Sequence, residues 1–239
     1  MEKLSVVIIT FNEEKNIGRC IDSVGEVADE ILILDSYSTD QTVTIAESKG
    51  AIVKQEEFKG FIQKKNKAVE LASYDYVLSL DADEALDPVL RNSIRTAKEN
   101  YTNRAYRMNR CSNYCGKFIR HGSWYPDTKI RLFDRRITQW GGTNPHDKII
   151  LQENIPVEHL RGDILHYSYH TISEHVTQNN KLSTLAAESL FAKGKKNKSV
   201  QCICPSLVGF LSELFYPGRL SGRIVWPRDR HSDFPYDFP

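Results

Sequence analysis

The chain has 239 residues, 40% hydrophobic and 26% charged, enough for one sizeable α/β domain or one domain with an appendage. A formal net charge of +1 gives no bulk preference for nucleic acid, so any basic patch must be argued locally. No apolar stretch approaches the roughly 20 residues of a spanning helix, and the first apolar run is too short, and too poorly flanked, for a secretion signal. The cysteines Cys20, Cys111, Cys115, Cys202 and Cys204 are odd in number and suit reduced thiols in a cytoplasm. Their spacings are not those of common zinc motifs.

Along the first half the periodicity alternates. Leu4–Phe11 (LSVVIITF) is continuously apolar and β-branched, the pattern of a buried parallel strand. Ile17, Cys20, Ile21 and Val24 then recur on one face of a helix. Glu30–Asp35 (EILILD) predicts a second strand, and the turn Ser36-Tyr37-Ser38-Thr39-Asp40 offers N-caps to a helix reaching about Lys49. Ala51–Gln55 reads as a short third strand, Gly60–Leu71 as a helix, and Tyr76–Leu80 as a fourth strand running into Asp81-Ala82-Asp83-Glu84. Asp87-Pro88 opens another helix, a capping residue followed by proline at the first helical position. This rhythm predicts a doubly wound, mostly parallel sheet with helices on both faces. After about Tyr101 the rhythm breaks. Ala105–Arg110 and Lys129–Asp134 predict strands around a glycine- and aromatic-rich loop, Gly116 to Pro126. A long helix is expected from Thr171 to Lys193, with Val176, Leu182, Leu185 and Phe191 facing inward.

Ligands of a doubly wound sheet sit beyond the carboxyl ends of its strands. Three such ends carry polar chemistry: Thr10-Phe11-Asn12-Glu13, Asp35-Ser36 and Asp81-Ala82-Asp83-Glu84. In an extended turn Asp81 and Asp83 would point the same way, and paired carboxylates repel unless a cation or bound hydroxyls offset the charge. Hard divalent ions favour such oxygens and share them with substrate phosphates. A solvated acidic helix entrance is the plainer alternative; it explains Glu84 and Asp87 but explains poorly an aspartate directly after a buried strand. A haloacid dehalogenase phosphatase would carry its Asp-x-Asp early and follow it with a hydroxyl residue, where Ala85 stands. A dinucleotide fold would need Gly-x-Gly-x-x-Gly after strand one, where there is no glycine.

Ser5-Val6-Val7-Ile8-Ile9-Thr10-Phe11-Asn12-Glu13, Asp35-Ser36-Tyr37-Ser38-Thr39-Asp40-Gln41-Thr42 and Asp81-Ala82-Asp83-Glu84 together resemble family 2 glycosyltransferases of the GT-A fold. Gly122-Ser123-Trp124-Tyr125-Pro126-Asp127, Arg131-Leu132-Phe133 and His166-Tyr167 narrow the resemblance to bacterial enzymes that add a hexose, often glucose, to lipopolysaccharide core. It covers roughly residues 3–195. The resemblance implies an inverting transfer from a nucleotide diphosphate sugar, usually UDP-linked, with Mn²⁺ or Mg²⁺. Thr10, Asn12 and Glu13 would line the nucleotide pocket, Asp35 would bind uracil or ribose, and Asp81 would contact the ribose. Lys65 and Asn66 stand where the family presents polar groups to the donor, although Lys65 also suits a solvated helix face. Asp83, perhaps joined by Glu84, would ligate the metal; His166 is either a further ligand or a core histidine. For the general base the order is Asp147, Asp127, His146, since Asn144-Pro145-His146-Asp147-Lys148 stands where relatives carry a His-Glu pair. Trp124 and Tyr125 would stack on sugar faces or pack the loop.

The organisation expected is residues 1–100 as the nucleotide-sugar-binding half, 101–170 as the acceptor-side half, 171–216 as C-terminal helices and 217–239 as a tail. Lys193, Lys195, Lys196 and Lys198 beside the apolar Val200–Tyr216 suit either an anionic membrane surface or a packing or dimer helix. Partners are then a nucleotide-sugar donor and a glycan or glycolipid acceptor, at the inner face of a plasma membrane. Competing functions are a nucleotide-sugar-binding protein without catalysis, hinted at by Asp147 in place of glutamate, and a phosphatase-like metal enzyme.

Overall fold

The computed structural model describes residues 2–99, 101, 105–143, 146–152 and 154–192. In chain order they form β1 (Leu4–Thr10), α1 (Ile17–Val24), β2 (Glu30–Asp35), α2 (Thr42–Ser48), β3 (Ile52–Gln55), α3 (Phe61–Leu71), β4 (Tyr76–Asp81), β5 (Glu84–Leu86) and α4 (Pro88–Glu99). There follow β6 (Ala105–Tyr114), β7 (Lys117–Phe118), β8 (Asp127–Asp134), β9 (Thr138–Thr143), β10 (His146–Leu151), β11 (Val157–Tyr169) and α5 (Ile172–Ala192).

The main sheet runs β3-β2-β1-β4-β8-β6-β11-β5, with β7 hydrogen-bonded to β6. From β3 to β4 every pair is parallel. The early strands read clearly because both faces are covered: every residue of β1 is buried. Alternation divides its side chains between two apolar layers. Val6 and Ile8 join Ile17, Cys20, Ile21 and Val24 of α1, Ala46 of α2, and Leu90 and Ile94 of α4. Val7 and Ile9 join Ala68 and Val69 of α3, Phe133 of β8 and Trp140 of β9.

Strands of the second half enter the same sheet. β8 runs antiparallel to β4 and β6, β11 parallel to β6, and β5 antiparallel to β11. β9 and β10 form a separate antiparallel hairpin. Asp87 caps α4 as its sequence suggests: Oδ1 accepts the Leu90 N–H at 2.6 Å. Its Oδ2 accepts the Asp163 N–H at 3.1 Å, which ties the helix start to β11. That approach depends on Gly162, at φ +97°, where a Cβ would lie 2.2 Å from the Leu90 nitrogen.

The expected long helix exists as α5, but Val176 and Phe191 do not face a core. Val176 and Phe191 are 55% and 85% exposed and Leu182 is half-buried. The reason is that α5 engages the body through its first turn, where His175 packs against Tyr169 and accepts or donates at 3.2 Å with the Tyr114 hydroxyl. The Leu185 side chain, the basic cluster, Val200–Tyr216, Cys202, Cys204 and the 217–239 tail lie outside the described residues. Cys20 and Cys111 are buried free thiols and Cys115 an exposed one.

Candidate active site

The carboxyl ends of β1 and β2 are stitched into one wall. Asn12, at φ +54°, donates its N–H to Ser38 Oγ at 2.8 Å and accepts the Thr39 N–H on Oδ1 at 2.8 Å. The Glu13 N–H reaches Thr42 Oγ1 at 2.8 Å. Thr10 is buried, and its Oγ1 has no hydrogen-bond partner among the described residues. Asp35, expected at the base or ribose, has no exposed surface here. It accepts the Ser38 N–H at 2.8 Å, the Ser38 hydroxyl and Gln55 Nε2 at 3.1 Å, so its carboxylate shapes the turn that carries Ser36 to Ser38. Asn12, by contrast, is exposed.

Glu13 lies half-buried and accepts a hydrogen bond from Asn16 Nδ2 at 2.8 Å. Burial pushes its carboxyl up to about 7 against that hydrogen bond, with Asp83, Asp40 and Asp81 adding repulsion.

The acidic cluster is a turn between β4 and β5, not an extended segment, so its carboxylates answer to different partners. Asp81 meets Lys65 Nζ at 3.1 Å and Arg131 Nη2 at 3.0 Å. Burial would raise its pKa, but Lys65 and Arg131 hold it well below the ordinary carboxylate range. Glu84, expected beside the metal, instead turns inward and is 1% exposed. Its Oε2 accepts the Asp81 N–H at 3.0 Å, and its Oε1 meets Arg131 at 2.8 Å and Arg110 at 3.6 Å. Placed opposite His166 in the β5–β11 register, Glu84 is a structural counter-ion.

Asp83 remains at the open edge, its side chain 23% exposed and 3.1 Å from His166 Nε2. Burial opposes ionisation of Asp83, and His166 outweighs it, lowering the pKa. On its other nitrogen His166 is oriented by the Ser168 hydroxyl at 2.8 Å, with Ser112 at 3.5 Å. Two ligands on one small divalent ion stand roughly 3 Å apart, and a second hydrogen bond to the far imidazole nitrogen is the usual support of a ligating histidine. The Asp83–His166 pair therefore fits such an ion with two protein ligands. No group of three or more His, Cys, Asp or Glu suited to a metal occurs among the described residues, so the other positions would fall to phosphate oxygens and water.

Of the base candidates, Asp147 on β10 joins this site: Oδ2 is 2.8 Å from Lys65 Nζ, and the side chain is 14% exposed. Asp127 is held between Arg110 at 2.7 Å and Lys129 at 2.8 Å. Burial opposes its ionisation, yet these cations lower its pKa, which weakens it as a base. The His146 side chain lies outside the described residues. Asn66 uses both ends of its amide on the Trp140 backbone, at 2.9 Å each, and so anchors β9 rather than facing the edge. Tyr125 donates its hydroxyl to Asp163 at 2.9 Å, and Trp124 packs edge-on against Tyr114 at 5.8 Å. Both are half-buried.

Sequence reading gave three cations no role at the site. Arg131 and Arg110 neutralise the cluster from β8 and β6, while Lys64 reaches the Thr10 carbonyl at 2.6 Å and Ser36 Oγ at 2.5 Å. The signal for Arg131 was a charged residue inside the apolar run Ile130 to Phe133, and for Lys64 the adjoining Lys65 on a helix facing the sheet.

Comparison with known proteins points to one family. The model of the family described as glycosyl transferase family 2 matches residues 5–156. An uncharacterized glycosyltransferase of Rickettsia typhi is 30% identical over 226 residues, which cover 90% of this chain and 77% of that protein. The lipopolysaccharide core biosynthesis glycosyltransferase LpsC of Rhizobium meliloti is 29% identical over 224 residues, 90% of this chain and 82% of its own. Among solved structures, glucosyl-3-phosphoglycerate synthase from Mycobacterium tuberculosis, in complex with Mn²⁺, UDP and glucosyl-3-phosphoglycerate, is 26% identical with a TM-score of 0.39, covering 48% of this chain and 45% of that one.

Proposed function

We propose a reaction from one premise: the chain belongs to glycosyl transferase family 2 and is a glycosyltransferase. The reaction is transfer of a hexose, glucose by preference, from a UDP-sugar to a hydroxyl of a cell-surface glycan or glycolipid such as lipopolysaccharide core, with inversion at the anomeric carbon. The observation that supports it is the meeting of Asp81, the Asp83–His166 pair and Asp147 at one strand edge. The lipopolysaccharide assignment is supported by the similarity to LpsC. Such an acceptor places the enzyme in the cytoplasm, at the inner face of the membrane. No helix among the described residues is long and apolar enough to cross one.

Inversion needs a single displacement. The acceptor oxygen attacks the anomeric carbon as the bond to the diphosphate breaks, and its proton passes to a carboxylate. Asp147 suits that role, being held 2.8 Å from Lys65 Nζ and on a different strand from the donor-side groups. Thr10, Asn12 and Glu13 wall the nucleotide side, and Asp81 is fixed by two cations to present a constant acceptor to ribose hydroxyls. Asp83 and His166 would hold Mn²⁺ or Mg²⁺, which supplies charge stabilisation for the departing diphosphate when bound.

Calorimetric titration with UDP tests this reading. UDP is expected to bind in Mn²⁺ and weakly without it, and Asp83→Ala to lose roughly tenfold or more of the Mn²⁺-dependent affinity. Asp147→Asn should keep UDP affinity within about threefold while sugar transfer falls roughly 10²–10⁴-fold. UDP binding that is absent, or indifferent to metal, would overturn the proposal.

A further inference from the structure

Three successive residues of α3 grip three different parts of the molecule. Lys64 holds the Thr10 carbonyl at the end of β1 and Ser36 after β2. Lys65 lies between Asp81 at the end of β4 and Asp147 on β10. Asn66 pairs with the Trp140 backbone on β9. At 3.6 residues per turn, consecutive side chains fan out around a helix, so one turn reaches all three.

Among the described residues, the hairpin that carries Asp147 shares no ladder with the main sheet. Its place over the site rests on side-chain contacts: Trp140 in the apolar layer with Ala68 and Val69, the Asn66 pair, and the Lys65–Asp147 bridge. Lys65 is 4% exposed, and its ammonium sits 4.5 Å from the centroid of the Trp140 ring. An ammonium so enclosed interacts with a carboxylate far more strongly than a surface lysine does.

We infer that Lys65 is the positioning residue of the reaction, fixing the Asp147 carboxylate at the donor edge by sharing one buried ammonium between Asp147 and Asp81. The inference rests on the reading of Asp147 as the base. The charged groups that face Asp147 are Lys65 from α3, Arg131 from β8, and, across the shared ammonium, Asp81 from β4. Without the lysine charge, Asp147 loses its 2.8 Å ion pair and faces Asp81 with no ammonium between them. The carboxylate is then no longer anchored at the donor edge, and transfer slows without a matching loss of donor binding.

The test uses the full chain with Mn²⁺ and UDP-glucose, water standing in for the acceptor. The bond from the anomeric carbon to the diphosphate breaks, a bond to the water oxygen forms, and the water proton passes to Asp147. For Lys65→Met we expect UDP affinity within about fivefold of wild type and UDP release at least tenfold slower. Lys65→Gln should do the same, so a folding defect peculiar to methionine does not decide the matter. Lys65→Arg should restore most of the rate. The double variant Lys65→Met/Asp147→Asn should be no slower than Asp147→Asn alone, because the lysine acts through the aspartate.

A wild-type rate in both neutral variants, or rate and UDP affinity falling by the same factor, would overturn the inference. Full additivity in the double variant would do so too. If Asp147→Asn releases UDP at the wild-type rate, the base assignment falls and this inference with it. A slow Asp147→Asn beside a Lys65→Met variant of wild-type rate sinks the inference alone.

Discussion

Arg131 carries a charge into the middle of β8, where Leu132 and Phe133 beside it are fully buried. Its guanidinium meets Asp81 and Glu84, and its Nε and Nη1 have no hydrogen-bond partner among the described residues. The Trp140 ring, 5.5 Å from Cζ, offsets part of that cost. With Glu84 side chain at 0% and Arg131 at 4% exposure, removal of either partner strands a buried charge. Arg131→Met is therefore expected to cost about 3–5 kcal/mol in urea unfolding, and Glu84→Leu/Arg131→Met less than either single change. A double variant less stable than both singles would show that the pair itself, and not its desolvation, dominates. This scale was the least legible in the sequence. Asp81 and Asp83 stood out because they follow a buried strand, but nothing in a linear reading separates an inward Glu84 from an outward Asp83. The choice is made by arginines 26 and 47 residues further along the chain, Arg110 and Arg131, whose approach depends on the sheet order.

At the scale of elements, the first four strands were readable because helices cover both faces and leave continuous apolar runs. β11 was not. Val157–Tyr169 is half-exposed along much of its length and carries Gly162 near its centre, so neither alternation nor an apolar run marks it. Yet β11 delivers His166 and supports α4 through Asp163. Gly162 occupies a left-handed conformation with its α-carbon pressed against the backbone of α4. Gly162→Ala should lose about 2–4 kcal/mol, combining backbone strain with overpacking, and be read as a drop in the urea midpoint. Stability within about 0.5 kcal/mol of wild type would mean that α4 moves aside freely. The α5 expectation failed for a related reason: a helical pattern shows that residues share a face, not that another element covers it.

At the scale of the whole molecule, charges from distant segments set one titration. Glu13 is half-buried, and Asp40, Asp81 and Asp83 add to the burial that raises its carboxyl from 4.5 to about 7. The folded state then binds the proton more tightly than the unfolded chain. The stability this contributes is complete below 4.5 and is lost as pH rises through about 7. Between those values the urea midpoint of wild type should fall relative to Glu13→Gln, whereas parallel curves would place the titration elsewhere. The sheet itself joins both halves of the chain, β4 pairing with β8 and β5 with β11. A ribosome therefore delivers every parallel strand from β1 to β4 long before Arg131 and His166 emerge. Until they do, the nascent strand edge has its carboxylates but neither the guanidinium that restrains Asp81 nor the imidazole that faces Asp83. On the proposed reading of this edge, the order of synthesis makes competence for the donor a late acquisition of the folding chain.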